Sequence, residues 1–388
     1  MRKVYCLNNI SKIGLKALSS DYQVIDSIGS ADAVLVRSAA MHDMELPDSV
    51  LVVARAGAGV NNIPLEIYDK KGVVVFNTPG ANANAVKELT LAGMLIATRD
   101  IHGGLKWIEE NKHDEQIGKS VEIAKVQFGG TEIFGKTIGI IGLGAIGSML
   151  AKACNALGMK VYGNERNLDS LDSIRDTLPS DMVLVKSKEE LFPLCDFISL
   201  NLPLTPETKH MINLDAFKQM KDGVILLNFA RDALVNDDDL KEAISIGKVR
   251  KYVTDFPNHQ TVNSEGVIAI PHLGASTEEA EDNCATMAAM QIENYLEHGN
   301  IKNSVNFPDM DAGICESGHR LSVLMLEDQL TVHQIKLALE SSNEIKSMIH
   351  RNKKGFGYVL IDLEDAVTMD VISKLQSMSK ILRVRVIK

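Results

Sequence analysis

The sequence predicts an α/β protein with two successive parallel-sheet regions and a smaller α+β unit at the C-terminus. Three observations support this prediction. Short apolar runs alternate with helical stretches in residues 1–98, the alternation resumes at Lys136, and residues 317–388 have the order βαββαβ. Strands of a parallel sheet are buried on both faces, so they appear as continuous apolar runs bounded by turn residues.

The first region has five predicted strands and one long buried helix. The helix covers Val86–Thr98, where Gly93 is the only helix breaker. Residues 101–135 are more polar, and we interpret them as a crossing or interface segment. The predicted strands are VYCL, QVIDS, AVLVRS, LVVARA and VVVFN.

The second region has seven predicted strands separated by helices, which is typical of a doubly wound nucleotide-binding domain. The strands are TIGIIGLG, KVYGNE, MVLVK, DFISLNL, GVILLNFA, KYVTDF and VIAI. A long helix follows at Thr277–Glu297. From Ser317 the chain reads RLSVLML, a helix near Val332–Glu340, KSMIH, YVLIDLE, a helix near Met369–Ser377, and LRVRVI, which is a ferredoxin-like pattern.

Composition and charge exclude several classes of function. The 388 residues suit two or three domains, and the net charge of −10 argues against nucleic-acid or anionic-membrane partners. Five cysteines without CxxC or metal-like spacing predict reduced thiols, no metal site and a cytoplasmic protein. We expect no signal peptide and no membrane span, because no sufficiently long apolar run is present.

A dinucleotide site is predicted at Gly142-Leu143-Gly144-Ala145-Ile146-Gly147. A GxGxxG alone could be an ordinary glycine turn, but this one follows an apolar strand and opens a helix. Such a loop lets a pyrophosphate approach the helix N-terminus. Glu165 ends the next strand and can accept hydrogen bonds from the ribose hydroxyls, which favours NAD. The adjacent Arg166 leaves NADP open.

Three polar residues follow successive predicted strands of this sheet, namely Arg231, Asp255 and His272. Each alone could be a solvated loop residue, but ligands of doubly wound sheets bind beyond the carboxyl ends of the strands. Arginine can polarise a keto oxygen and pair with a carboxylate, and histidine can exchange a hydroxyl proton. The set therefore suits alcohol–ketone redox chemistry.

The first region has a glycine turn after a strand, at Ala54–Asn62. Its backbone N–H groups could bind a substrate carboxylate, although a plain turn is equally compatible with the composition. Arg37 and Arg55 are strand-end cations available for a second negative group. In NTPGANANAVKELT, Thr78 could face the cofactor.

Several of these motifs resemble the D-2-hydroxyacid dehydrogenase family, from about residue 50 to residue 308. HLGAST and GNIKNSVNFP are typical of members that act on 3-phosphoglycerate, and the C-terminal unit is similar to ACT regulatory domains. The motifs are RAGAGVNNI, NTPGANANAVKELT, GTEIFGKTIGIIGLGAIG, NFARDALV, IPHLGASTEEAEDN and GNIKNSVNFP.

The resemblance implies a Rossmann-type NAD domain (99–286) inserted in a flavodoxin-like substrate domain (1–98 and 287–310). A ferredoxin-like, ACT-like domain (317–388) with a regulatory or oligomerisation role would follow. The implied activity is NAD-dependent oxidation of D-3-phosphoglycerate to 3-phosphooxypyruvate, the first step of L-serine biosynthesis. The implied assembly is a homodimer or homotetramer.

The resemblance also implies roles for individual residues. Arg231 would bind the carboxylate and keto groups of the substrate, and His272 would be the acid/base. The cofactor site would comprise Thr78, Gly142, Gly144, Ala145, Ile146, Gly147, Glu165, Phe229, Ala230, Asp255, Leu273, Gly274 and Ala275. The substrate would contact Arg37, Arg55, Ala56, Gly57 and Asn82.

The first departure from the family concerns the partner of His272. Relatives have a short acidic stretch after the strand equivalent to KYVTDF, and its glutamate bonds the catalytic histidine. Here Phe256–Thr261 contains no carboxylate and is about one residue shorter. The sequence leaves open whether His259 or Gln260 orients the ring instead, with Asp255 as a further candidate. We expect a shifted pH optimum, because a carboxylate partner stabilises the charged imidazole.

The second departure lies in the ACT-like unit. Its first loop, Glu327–Val332, lacks the glycine that amino-acid-binding relatives have, which argues against serine as an effector. Asn352 is the nearby amide that could contact a ligand.

Two alternative functions stay open at this point. One is a dehydrogenase or reductase of an unphosphorylated 2-hydroxy acid, of the glyoxylate or hydroxypyruvate type. The other is a catalytically weakened NAD-sensing binding protein.

Overall fold

The computed structural model describes residues 1–167, 171–172, 174–262, 264–315, 318–341 and 343–387. The chain forms two compact units. One combines Met1–Asn82 with Glu278–Lys388, and the other is Ala83–Thr277.

The first unit begins with a parallel sheet whose strand order is β2-β1-β3-β4-β5. This is the flavodoxin-like order, which agrees with the prediction for the N-terminal region. Strands β3 and β5 are fully buried, as their unbroken apolar runs predicted. The strands are β1 (Arg2–Cys6), β2 (Tyr22–Ile25), β3 (Ala33–Val36), β4 (Val52–Arg55) and β5 (Val74–Phe76).

The second unit is built on a seven-stranded parallel sheet of order β12-β11-β10-β9-β6-β7-β8. Numbered from its own first strand, the order is 7-6-5-4-1-2-3, the Rossmann arrangement with one added strand. All seven predicted strands are present. They are β6 (Thr137–Ile141), β7 (Lys160–Asn164), β8 (Val183–Val185), β9 (Phe197–Leu200), β10 (Val224–Asn228), β11 (Val249–Thr254) and β12 (Val267–Ala269).

The helices of the described residues up to position 298 connect and cover these two sheets. They are α1 (Lys12–Leu15), α2 (Leu65–Lys70), α3 (Ala83–Thr98), α4 (Ile101–Glu110), α5 (Ile117–Ala124), α6 (Ala145–Ala156), α7 (Lys188–Leu191), α8 (Leu214–Gln219), α9 (Asp237–Ser245) and α10 (Glu278–His298). Helix α10 returns to the first sheet and packs on β3 and β4.

Helix α3 is the buried helix that the sequence predicted, and it begins three residues earlier than expected. It packs on β10 and β11 of the seven-stranded sheet. A Cβ at Gly93 would lie 2.7 Å from the Phe229 ring and 3.0 Å from Val253, so only glycine permits this close crossing.

The C-terminal part of the first unit is a four-stranded antiparallel sheet of order β14-β15-β13-β16 with two helices. This is the predicted ferredoxin-like topology, although the predicted start, Ser317, lies outside the described residues. The elements are β13 (Arg320–Leu326), α11 (Gln329–Glu340), β14 (Ile345–Lys353), β15 (Phe356–Leu363), α12 (Met369–Gln376) and β16 (Ile381–Val386).

The two faces of this sheet are buried differently. Val323 and neighbouring side chains pack under α11 and α12, whereas Leu324 and Tyr358 on the opposite face pack against Tyr295 and Leu296 of α10. The C-terminal sheet therefore shares a core with the helix that covers the first sheet. Within the described residues, no helix combines the length and the apolarity that crossing a bilayer requires.

Candidate active site

The glycine loop between β6 and α6 has the backbone that the dinucleotide motif requires. Gly142 has φ +91°, a region that favours glycine, and a Cβ at Gly147 would collide with the Gly142 carbonyl oxygen. Gly144 caps α6 without a side-chain hydrogen bond, and a Cβ there would meet only open space. The first-turn N–H groups therefore face an open approach suited to a pyrophosphate.

Glu165 lies directly after β7, beside this loop. Its Oε2 accepts a hydrogen bond from the Leu143 N–H at 2.9 Å, and its Oε1 accepts one from Asn167 at 2.9 Å. The carboxylate is thus held at the strand end by backbone donors, in the position from which ribose hydroxyls are recognised. Arg166 is exposed.

Arg231, Asp255 and His272 follow β10, β11 and β12, which are adjacent in the sheet. Because these strands are parallel, their carboxyl ends lie along one edge. The three residues that the sequence singled out one by one are therefore neighbours on the same edge. Among the described residues, the Arg231 guanidinium forms no ion pair with a carboxylate.

Asp255 is 1% exposed and is the buried acid of this edge. Its Oδ2 accepts a hydrogen bond from the Gly274 N–H at 3.0 Å, while Oδ1 has no partner in the part of the chain that is described. Burial raises the pKa of Asp255, and the Gly274 bond and the charges of His272 and Arg231 partly counteract that rise. An unsatisfied buried oxygen at this edge fits a bound amide donor, such as a carboxamide.

Arg231 is positioned by Asn228, a residue for which the sequence motifs indicated no role. Asn228 is fully buried, and its Oδ1 accepts from Ala230 N–H at 3.2 Å and Arg231 N–H at 3.3 Å. Its Nδ2 donates to the Arg231 carbonyl at 2.9 Å and to the Tyr252 hydroxyl at 2.9 Å. An asparagine at the end of a strand, before a turn, was the signal that could have identified this role.

Phe256 lies between the two candidate catalytic side chains and was missed as well. Its ring centroid is 4.5 Å from that of His272, with a 45° tilt, and 5.9 Å from Arg231 Cζ. No hydrogen bond to the His272 ring is present within the described residues of Ala83–Thr277. An aromatic contact therefore stands where relatives were expected to have a carboxylate.

Of the residues suggested as alternative partners of His272, Gln260 is engaged elsewhere and His259 is exposed. Gln260 Oε1 accepts from Lys241 Nζ at 2.6 Å. Asn258 Nδ2 donates to Asp232 and Asp237, at 2.9 and 3.0 Å. The loop Phe256–Thr261 is thus fixed by its own polar contacts.

The other predicted cofactor residues of this unit differ in exposure. Phe229 is buried, and its ring packs against α3 at Gly93, so its backbone remains the part that can meet a ligand. Leu273 is 46% exposed, Gly274 is buried, and Ala230 and Ala275 are half-buried.

The candidate substrate residues lie in the first unit and belong to one network. Arg37 forms an ion pair with Glu281 at 2.7 Å, and Arg55 Nε donates to Asn62 Oδ1 at 3.0 Å. Asn62 also donates to the carbonyls of Ala39, at 2.8 Å, and Arg37, at 3.4 Å. The two arginines are therefore linked through one asparagine.

Gly57, Ala56 and Thr78 complete this group, and Asn82 is half-buried. The Arg55 guanidinium occupies the space that a side chain at position 57 would enter, and Gly57 has φ +158°. The Gly57 carbonyl accepts from the Thr78 N–H at 3.1 Å, and Ala56 and Thr78 are buried. Burial raises the pKa of the adjacent Cys284 thiol, and the nearby Thr78 and the charges of Arg37 and Arg55 partly offset that rise.

Comparison with known proteins identifies the family of the second unit. Residues 91–274 match the NAD binding domain of the D-isomer specific 2-hydroxyacid dehydrogenases. A D-3-phosphoglycerate dehydrogenase of Methanocaldococcus jannaschii is 32% identical over 313 residues, which are 78% of this chain and 57% of that protein. The chain thus spans about half the length of most curated relatives that it matches.

Two further relatives are matched over most of their own length. A D-3-phosphoglycerate dehydrogenase of Haemophilus influenzae is 29% identical, with 96% of this chain and 90% of that protein covered. The NAD+-bound 3-phosphoglycerate dehydrogenase structure of Entamoeba histolytica is 26% identical with a TM-score of 0.61, covering 79% of this chain and 98% of that one. Residues 91–274 therefore form an NAD-binding domain of the D-isomer specific 2-hydroxyacid dehydrogenase type.

Proposed function

We propose that the protein is an NAD-dependent dehydrogenase that oxidises D-3-phosphoglycerate to 3-phosphooxypyruvate, the first step of L-serine biosynthesis. The observation that carries this proposal is the similarity to the Haemophilus influenzae D-3-phosphoglycerate dehydrogenase, which extends over 96% of the chain. The arrangement of Arg231, Asp255 and His272 on one sheet edge supports it.

In this proposal His272 takes the proton from the C2 hydroxyl, and Arg231 binds the substrate carboxylate and the C2 oxygen. NAD, when bound, supplies the hydride acceptor. Asp255 accepts a hydrogen bond from the cofactor's carboxamide through its unsatisfied Oδ1. The glycine loop and Glu165 hold the pyrophosphate and the ribose.

The division of the chain is part of the proposal. The substrate domain comprises 1–98 and 287–310, the NAD domain comprises 99–286, and the ACT-like domain comprises 317–388. Arg37, Arg55, Ala56, Gly57 and Asn82 contact the substrate, and Arg37 and Arg55 serve the phosphate.

We further propose a cytoplasmic homodimer or homotetramer. Helices α4 and α5 support self-association, because Leu105 is 66% exposed and Ile123 80% exposed, with Val126 at 80% just beyond. The cysteines support a reducing compartment, because none forms a disulfide. Serine feedback is not part of the proposal, because the loop Glu327–Val332 is held by Asp328, which caps α11 and bonds Thr331.

The competing function is reduction of an unphosphorylated 2-hydroxy acid, and one contact favours it. Arg37 is paired with Glu281, so a substrate phosphate has to compete with that carboxylate. Arg37→Ala together with Arg55→Ala separates the two functions, because these changes abolish activity only if the substrate phosphate needs both cations.

The test is NADH oxidation with 3-phosphooxypyruvate beside pyruvate, glyoxylate and hydroxypyruvate. We expect the highest kcat/KM for the phosphorylated substrate, and equal values for the phosphorylated and plain acids would overturn the assignment. His272→Ala should lower kcat about 10²–10⁴-fold, whereas His333→Ala, an exposed control on α11, should leave it unchanged. Binding of NADH without turnover of any of these acids would indicate the NAD-sensing alternative.

A further inference from the structure

A cavity of about 460 Å³ lies beside strand β16 in the first unit, away from every residue assigned above. Its cationic lining is Lys71, Arg383 and Arg385, and its acidic lining is Asp48. We propose that this cavity is a binding site for a small dianion, a phosphate or a short dicarboxylate, held by the two arginines of β16.

Strand β16 is an edge strand that pairs only with β13. Arg383 and Arg385 are two residues apart, so their side chains leave the same face of the sheet. That face packs on α10 and on the turns that precede β4 and β5. Two guanidinium groups are thus brought side by side at an internal junction.

Arg383 is fixed in place entirely by backbone carbonyl groups. Its Nη2 and Nε donate to the Lys71 carbonyl at 2.9 and 3.3 Å, and its Nη1 donates to the carbonyls of Asp48, at 3.2 Å, and Val50, at 3.4 Å. These bonds orient the guanidinium without neutralising its charge. Burial lowers the pKa of Arg383, and the charge of Arg385 acts in the same direction.

Arg385 is 8% exposed, and its hydrogen bonding is incomplete. Its Nη2 donates to the Leu296 carbonyl at 3.2 Å, and its Cζ lies 4.5 Å from the ring centroid of Tyr295. Its Nη1 is buried and has no hydrogen-bond partner within the described part of the chain. Arg385 lines the cavity, and an unsatisfied cationic donor on a lining residue is a feature that a bound anion would complete.

The charges of the cavity are also unbalanced. Among the described residues, no carboxylate lies within 4.0 Å of either guanidinium, and Asp48 influences Arg383 only at longer range. Arginine cannot lose its proton to relieve the cost of burial. Lys71 adds a third cationic residue to the lining. A ligand with two negative charges therefore matches the site better than a neutral or singly charged one.

Arg320, on β13 of the same sheet, shows what a completed arginine site looks like. It is 3% exposed, and it binds both carboxylate oxygens of Asp362, at 2.6 and 3.0 Å. Its remaining donors meet the carbonyls of His298, Gly313 and Ala312 at 3.0–3.2 Å. Arg320 thus has a carboxylate partner, whereas Arg383 and Arg385 have none among the described residues.

The size and walls of the cavity limit the ligand. A volume of about 460 Å³ admits inorganic phosphate or a four-carbon dicarboxylate with solvent. Leu51, Ile381 and Leu382 add apolar wall, which suits the methylene groups of an organic dianion. Both ligand types share paired anionic oxygens, which guanidinium groups bind in a bidentate manner.

The test is isothermal titration calorimetry of the full chain with inorganic phosphate, succinate and acetate in separate titrations. We expect saturable binding of phosphate or succinate and none of acetate. Arg385→Met should weaken that binding at least about tenfold, because a charge-assisted hydrogen bond is lost. Arg351→Met is the matched control, since Arg351 is an exposed arginine on β14 of the same sheet.

Two further variants keep the result interpretable. Arg37→Ala together with Arg55→Ala should retain the binding, because the proposed substrate phosphate site is elsewhere. Lys71→Met removes a positive charge of the lining outside β16 and should still weaken binding, which preserves the test if Arg385→Met does not fold. Unchanged affinity in Arg385→Met or Lys71→Met, or loss of binding only in the Arg37 and Arg55 variant, would overturn the proposal.

Discussion

Histidine and arginine occur in two contrasting settings in this protein. In the C-terminal sheet, His350 Nε2 lies 3.0 Å from Glu327 Oε2, and Arg320 forms a bidentate pair with Asp362. At the carboxyl edge of the seven-stranded sheet, His272 and Arg231 contact the Phe256 ring instead.

The difference separates structural from chemical use of the same side chains. A carboxylate partner completes the hydrogen bonding of an arginine or histidine and fixes it in the folded protein. A side chain without one keeps its donors for a substrate. We therefore predict that His350 and Arg320, which have carboxylate partners, serve stability. His272 and Arg231, which have none among the described residues, should serve activity.

Arg231→Gln should show the largest effect. Loss of the charge that binds the substrate carboxylate and C2 oxygen should lower kcat/KM about 10²–10³-fold. The free energy of unfolding should change by less than about 0.5 kcal/mol, because no ion pair is broken. Steady-state kinetics measure the change in kcat/KM, and urea denaturation of the same preparation measures the free energy of unfolding. A large loss of stability would contradict the proposed difference between the two settings.

Asp362→Ala should lower the stability of the protein without lowering its activity. It leaves the buried Arg320 without its carboxylate, which should cost about 3 kcal/mol in the free energy of unfolding and leave kcat unchanged. Urea denaturation measures this cost, and Glu327→Gln, in the more exposed His350 pair, should cost less than about 1 kcal/mol.

The contribution of Asp362 to the free energy of unfolding should fall at low pH. Burial alone raises the pKa of Asp362, but the hydrogen bonds from Arg320 and Ser347 and the charge of Arg320 outweigh it and hold the pKa below its ordinary value of 3.8. A depressed folded-state pKa gives stability that is present above the unfolded value and is lost as the pH falls through the folded one. The difference between wild type and Asp362→Ala should therefore be constant near neutrality and shrink below about pH 3.8.

Phe256→Leu should have the smallest effect, and it tests whether the ring positions His272. Losing the aromatic contact of about 0.5–1.5 kcal/mol should lower kcat up to about tenfold, with KM nearly unchanged. Phe256→Tyr should restore activity. The His272 ring protons should also lose a ring-current shift in the NMR spectrum of Phe256→Leu, and an unchanged spectrum would exclude the positioning role.

Much of the fold could be predicted from the sequence, because parallel strands buried on both faces leave an unmistakable apolar signature. The five N-terminal strands and the seven strands of the NAD-binding domain were all predicted, and so was the βαββαβ order of the C-terminal unit. Helix starts were less accurate. Helix α11 begins three residues before the predicted Val332, because Asp328 caps it from a loop without glycine.

The candidate site was predictable only in part. Strand ends and a glycine motif are local signals, and they identified Arg231, Asp255 and His272. Asn228 and Phe256 were missed because their importance lies in contacts between loops that follow different strands. The expected partner of His272 was a carboxylate, so the apolar Phe256 was not predicted to contact it.

The sequence by itself determined the order of the elements, the dinucleotide loop and the residue types at three strand ends, because each depends on local periodicity and spacing. Only the tertiary structure decided which cations are paired. Arg37 meets Glu281, Arg320 meets Asp362, and Arg385 meets no carboxylate among the described residues. Such pairings join residues far apart in the chain, so they depend on how the sheets and helices pack.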